Sequence, residues 1–238
     1  MKRSKDRILL SRKSIVPMTR NIVFLCSGGG ANMRFVHQSI ARGWLRSAQI
    51  IAIITDRPCA ANLYADANGM KNDILDFSEG GHAHLEKMLG ELEPDIIISN
   101  IHRILLPSLV QKFQGKIINL HYSLLPAFGG SIGIRPVKDA LAYGAKFTGV
   151  TVHEVTAEVD AGRPLVQAAI ALNDVDQYND VLMDAVFRSG CLALLTALQN
   201  EYPAPSLLRI HEKDCFFSSL TRTVVDESCW AQLKEKSP

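Results

Sequence analysis

The chain of 238 residues is short of several things, and each shortage closes off a class of protein. Cysteine is scarce and odd in number: Cys26, Cys59, Cys191, Cys215 and Cys229 show no Cys-x-x-Cys spacing. That argues against a disulfide framework or a zinc site and for a reducing compartment, with the cytoplasm as the expected location. Long apolar runs are missing; none approaches the ~18 residues of a membrane span, so no membrane partner is expected. Net charge is small, +2, and unevenly held. Lys2, Arg3, Lys5, Arg7, Arg12, Lys13 and Arg20 face only Asp6 in the first twenty residues, which leaves the rest of the chain at −4. A mildly acidic body lacks the footprint of a nucleic-acid binder, so no nucleic-acid partner is expected either. Residues 1–20 read as a solvated basic tail, with an organelle transit peptide as the other reading. A secretory signal is excluded because Ile8-Leu9-Leu10 is too short an apolar stretch.

What is present is an alternation of two patterns. Continuous β-branched runs at 21–26, 49–55, 95–99 and 116–119 read as strands buried on both faces, with a short one at 74–75. Between them, 31–42, 60–68, 84–92 and 105–113 space their apolar residues as helices do. Further strands are expected at 148–155 and 164–170, and a long helix at 178–198. This order predicts an α/β fold, a Rossmann-like and mostly parallel sheet with helices on both faces. The organisation expected is a tail over 1–20, a catalytic domain over 21–199 and a C-terminal extension over 200–238.

In parallel sheets chemistry collects just past the carboxyl ends of the strands. Three stretches fall there: Ser27 to Asn32, Asn100 to Arg103, and Asn119 to Phe128. Ser27-Gly28-Gly29-Gly30-Ala31-Asn32 joins a strand to a helix, where backbone N–H groups and the helix dipole suit an anion. The same residues also serve as a plain tight turn, and they match neither G-x-G-x-x-G nor a P-loop. Asn119-Leu120-His121 ends a strand with a carboxamide and an imidazole on the same side, able to stabilise an oxyanion and move a proton. Each taken singly is more often a turn former. Asp160, in Glu158-Val159-Asp160-Ala161-Gly162, can orient an imidazole or simply make a turn. Ser123 has no G-x-S-x-G setting, which argues against a serine nucleophile. His82 and His84 read as an exposed pair on a Gly-rich loop with no third ligand, so no metal is expected.

Together these pieces resemble the folate-dependent formyltransferase family, nearest to its glycinamide ribonucleotide branch, over roughly three quarters of the chain. The carrier is Asn119-x-His121-x-Ser123-Leu124-Leu125-Pro126, followed about forty residues on by Asp160-x-Gly162. The resemblance implies a Rossmann-like enzyme that moves a formyl group from 10-formyltetrahydrofolate to a small-molecule amine, without metal. By default the acceptor is glycinamide ribonucleotide, a phosphorylated amine of purine synthesis. It also implies a catalytic trio of Asn119, His121 and Asp160, with acceptor contacts at Gly30, Ala31, Asn32 and His153. The folate side falls on Arg103, Ile104 and Leu105. Departures concentrate on the acceptor side. Tyr122 stands where the family often has Pro, and Ala31 where it has Ser. The 128–136 segment is longer than usual, and 76–85 holds no clear match for a second basic residue. The family's ribose-binding Glu position falls on Ser189. A nucleotide-linked amino sugar is therefore a competing acceptor, and deformylation by water a competing reaction. A non-catalytic folate or nucleotide module is a third reading, which the trio disfavours. Transfer to initiator transfer RNA is disfavoured because that class adds an RNA-binding domain after its catalytic one. The resemblance leaves the oligomeric state open.

Overall fold

The computed structural model describes residues 19–77, 80–173 and 178–234. The basic tail expected over 1–20 therefore lies outside the described residues except at its last two positions. Chain order is β1 (Arg20–Cys26), α1 (Ala31–Ala41), β2 (Ala48–Thr55), α2 (Ala60–Ala67), β3 (Asn72–Ile74), α3 (Gly81–Leu92), β4 (Ile96–Asn100) and α4 (Pro107–Lys112). It continues through β5 (Ile117–His121), α5 (Arg135–Tyr143), β6 (Phe147–Glu154), β7 (Pro164–Ala171), α6 (Asp180–Gln199), β8 (Ser206–Ile210), β9 (Lys213–Phe217) and α7 (Glu227–Lys234).

One sheet runs β3-β2-β1-β4-β5-β6-β7-β9-β8. The strands β1 to β5 pair in parallel, as the βα alternation predicts. From β6 onward every pairing is antiparallel. The order reverses at β1, which has β2 on one side and β4 on the other. That reversal opens a crevice beyond the carboxyl ends of β1 and β4, the usual place for a ligand in such sheets.

Helices cover both faces. One core gathers Phe24, Phe35, Ile98, Leu120 and the buried residues of α6; the other gathers Val23, Leu25, Ile97, Leu85, Leu109 and Phe113. The α6 helix is apolar almost all round because it is sunk against β6 and β7. Its length and hydropathy would also suit a membrane span, but here its apolar residues are spent on the sheet.

Three expectations need correcting. His82 and His84 do not lie on a loop; both sit in the first turn of α3, where only His84 is exposed. The third strand is Asn72–Ile74, one to two residues earlier than its apolar pair suggested, and Leu75 follows it into the core. Helix α5 was not expected, although Val137, Ala140 and Leu141 share one side of it at helical spacing; it starts at Arg135-Pro136, with proline in the first turn where its missing N–H costs nothing.

Residues 206–234 complete the same sheet and core: β9 pairs with β7, and Trp230 of α7 stacks on Phe35 of α1 at 5.4 Å between ring centroids. Trp230 is 5% exposed and also lies under the Arg188 guanidinium. Trp230→Ala should therefore cost about 3–5 kcal/mol, read in urea as a lower midpoint with an unchanged slope.

Candidate active site

A cavity of about 450 Å³ opens past the ends of β1, β4 and β5. The residues to which the resemblance gives catalytic, acceptor or folate contacts line it: Gly30 to Asn32, Arg103 to Leu105, Asn119, His121, His153 and Asp160. The two core faces divide it. Leu105, Val110 and Val155 belong to the α3–α4 side; Tyr122 and Phe187 pack with the α1–α6 side.

The centre is built by strand register. Antiparallel pairing of β5 with β6 sets Asn119 opposite His153 and His121 opposite Thr151. Asn119 and His121 line the cavity, while Leu120 between them packs into the larger core. Asp160 arrives from the turn joining β6 to β7. Its Oδ2 lies 3.6 Å from His121 Nδ1, and its Oδ1 lies 3.7 Å from His153 Nε2. The same Oδ2 accepts a 2.7 Å hydrogen bond from the Gly130 N–H. Asp160 has φ +56°, a left-handed conformation that a non-glycine residue holds only when its surroundings insist. Nearby Gly162 permits the turn: a Cβ there would fall 1.7 Å from the Glu154 carbonyl oxygen.

Tautomers follow from the partners. His153 Nδ1 is 2.8 Å from the Glu154 carbonyl, which only accepts, so Nδ1 carries the proton. Burial lowers the His153 pKa, outweighing the Glu154 carbonyl and Asp160, and keeps the ring neutral at pH 7. Its Nε2 lone pair then receives a hydrogen bond from Asn119 Nδ2 at 3.4 Å. The second Asn119 amide hydrogen has no partner among the described residues. His121 Nε2 donates to the Phe128 carbonyl at 3.2 Å, so both ring nitrogens of His121 have a polar neighbour. The loop carrying Phe128 is stitched to the sheet: Thr151 Oγ1 donates to the Ser123 carbonyl and accepts from the Leu125 N–H, and Gln167 Nε2 donates to the Leu125 carbonyl.

On the α1 side, Gly30 caps the helix at φ +64°, with no side-chain cap and no acidic residue in the first turn. A Cβ on Gly30 would meet the Ala61 Cβ at 2.9 Å, so the turn needs glycine. The first N–H groups of α1 are left for an anion. The Asn32 side chain is locked to Tyr122, its Nδ2 donating to the phenol oxygen at 3.2 Å. Burial raises the Tyr122 pKa, so the phenol stays protonated. Cys26, also in the wall, is pushed up to about 12 by burial first and nearby Cys59 second, which makes it inert as a nucleophile. Ser189 is the position to which the resemblance assigns the family's ribose-binding Glu. Ser189 is fully buried away from the cavity, and Phe187, two residues earlier, forms the wall. Sequence reasoning passed over Phe187 because a helical stripe does not say which apolar residue borders a cavity.

On the other side, Arg103 is tethered through Nε to Asp56 Oδ2 at 3.2 Å, and His102 N–H donates to Ser27 Oγ at 2.6 Å. Asp56 follows the last residue of β2, in Asp56-Arg57-Pro58, a local pattern that by itself reads only as a turn.

Comparison with known proteins identifies the family. The family model described as "Formyl transferase" matches residues 20–198, and the chain belongs to that family. It is 33% identical over 165 residues to the chloroplastic phosphoribosylglycinamide formyltransferase of Arabidopsis thaliana, covering 65% of this chain and 56% of that protein. It is 34% identical over 161 residues to the phosphoribosylglycinamide formyltransferase of Mycobacterium tuberculosis, covering 65% of this chain and 73% of the relative. Among solved structures, the phosphoribosylglycinamide formyltransferase from Brucella melitensis superposes with a TM-score of 0.67 at 31% identity, over 76% of this chain and 94% of that one. The chain thus spans little more than half the length of the plant relative.

A neutral, buried histidine makes stability depend on pH. His153 has its pKa lowered on folding, so the unfolded chain takes up the proton first. Its contribution is complete above the unfolded value of about 6.5 and falls as pH drops below it. Urea unfolding at several pH values between 7 and 5 should show this slope, and His153→Gln should flatten it.

Proposed function

We propose that this chain transfers the formyl group of 10-formyltetrahydrofolate to a primary amine, with glycinamide ribonucleotide as the acceptor of purine synthesis. The observation that carries the reading is the meeting of Asn119, His121 and Asp160 in one cavity large enough for a small ligand. The folate co-substrate brings an activated formyl carbon; the chain's own residues supply position and charge. Leu105, Val110 and Val155 offer an apolar wall for a pterin-sized ring, and Arg103 stands at its edge. The N–H groups of Ala31 and Asn32 suit the acceptor's phosphate on the opposite face.

The acceptor nitrogen must be neutral to attack. As it adds, the formyl oxygen becomes negative, and the free Asn119 amide hydrogen is the nearest ready donor. His153 fixes that carboxamide by accepting its other hydrogen. In the described state His121 Nε2–H rests on the neutral Phe128 carbonyl. A developing oxyanion is a stronger acceptor than a carbonyl, so the donor transfers to it. Asp160 holds the Nδ1 side of the ring, with its Oδ2 3.6 Å away. A donor of this kind is worth about 2.7–4 kcal/mol of barrier.

A second acceptor class is favoured by one feature. The wall that would face a ribose carries Phe187, and Asp160 is the only carboxylate among the described lining residues. An acceptor that presents an amino sugar there, with any ribose held elsewhere, as a nucleotide-linked amino sugar can, suits that wall as well.

Assays with glycinamide ribonucleotide, with amino-sugar nucleotides and with no amine distinguish the outcomes. Tetrahydrofolate release should require an amine and run fastest with glycinamide ribonucleotide; release with water alone would make the chain a deformylase. Asp160→Asn or His121→Ala should each lower kcat at least about a hundredfold with the fold retained by circular dichroism. Near-normal rates in either variant would remove that residue from the mechanism.

A further inference from the structure

Asp56 is the one buried carboxylate near the cavity that the proposed chemistry leaves unused. Its side chain is 0% exposed, yet it touches two arginines that are about half-exposed. Arg57 grips it with a fork, Nε to Oδ1 at 3.1 Å and Nη2 to Oδ2 at 2.7 Å. Arg103 reaches Oδ2 through Nε alone, at 3.2 Å. The two terminal nitrogens of Arg103 have no partner among the described residues, and Arg103 lines the cavity. Ser27 Oγ accepts the His102 N–H at 2.6 Å and so ties the end of β1 to the loop after β4. That loop and the end of β2 are in turn joined at the Asp56 carboxylate. His82 Nε2 holds the next residue of that loop by bonding the Ile104 carbonyl at 3.2 Å.

We infer that Asp56 is a positioning residue: by occupying Arg103 Nε it turns the free guanidinium fork toward the cavity, where it receives a carboxylate of the folate co-substrate. The inference rests on the proposed formyl transfer and names the group that orders one of its binding contacts. Geometry supports the direction. A guanidinium held at Nε keeps its two terminal N–H groups parallel, the arrangement that matches a carboxylate. The ligand anion concerned is on the folate side, because Arg103 adjoins Leu105 and Val110 while the α1 N-terminus serves the other face. Burial pushes the Asp56 carboxyl up, but hydrogen bonds from Arg57, Ser27 and Arg103 outweigh it and hold it at about 2. The anchor therefore stays ionised at every pH at which the enzyme is assayed.

Asp56 also carries a negative charge, and two roles predict opposite signs for its removal. As an electrostatic brake on an anionic ligand, its loss would tighten binding. As a positioning residue, its loss weakens binding. Asp56→Asn should raise the KM for 10-formyltetrahydrofolate roughly tenfold, leave kcat within about twofold and leave the acceptor KM unchanged. Arg103→Lys, which keeps the charge but loses the fork, should give the same rise; its half-exposed side chain makes unfolding no explanation. In an Arg103→Ala background, Asp56→Asn should add little, since the two act as a unit. A 10-formyl pterin lacking the carboxylate tail should bind wild type and variants alike. An unchanged or lower folate KM in Asp56→Asn, additive effects in the cycle, or a rise in the acceptor KM would each overturn the inference. Titration calorimetry with tetrahydrofolate and with its tail-less analogue separates this result from the activity. If wild type binds folate in a tail- and Asp56-dependent way but transfers no formyl group, the reaction assignment falls and the positioning role stands.

Discussion

Antiparallel pairing of β5 with β6 is the constraint on which the site depends. A parallel neighbour would end at the same edge as β5 and turn away there. Antiparallel β6 instead runs back from His121 toward the start of β5, which sets Thr151 against His121 and His153 directly against Asn119. The segment that follows β6 folds back over these residues and delivers Asp160 to His121 and His153. A carboxamide, two imidazoles and a carboxylate from distant segments so meet without any loop having to find its place alone. Thr151 and Gln167, neighbours on the same ladders, tie down the loop whose carbonyl faces His121.

Much of this was legible in the chain. The runs at 21–26, 49–55 and 95–99 are continuous because parallel strands are covered on both faces, and that signature is hard to mistake. Asn119 and His121 could be placed on one side from period two alone. The antiparallel half was less legible. Strands β6 and β7 alternate as predicted, but their direction is set by turns and helix packing that local sequence does not encode. The hairpin β8–β9 hid in a polar stretch because Leu207 and Phe216 on one face lie open to solvent while Cys215 and Phe217 are buried. Helix α5 was missed for a similar reason: Pro136 reads as a breaker unless the helix is known to begin there.

Site residues divided along the same line. Those in a compact motif, Asn119 and His121, announced themselves. Asp56 and Phe187 did not, because what matters about each is a neighbour far away in the chain. Asp56 becomes more than a turn residue only once Arg103 is beside it. Phe187 becomes a wall only once α6 is laid across the sheet. Ser189 shows the converse: a position picked out along a helix is buried in the core, while Phe187, two residues earlier, borders the cavity.

The stack of Trp230 on Phe35 carries a consequence for handling the protein. Phe35 belongs to the second turn of the helix whose opening N–H groups face the cavity, so the last helix of the chain braces the anion cradle from behind. Clipping by a protease or a bulky fusion near the carboxyl terminus would therefore loosen the start of α1, where the proposed acceptor phosphate would sit, before it disturbed the wall of Leu105 and Val110. A preparation damaged in this way would present as a substrate-affinity defect, although the lesion lay in α7, whose residues do not line the cavity.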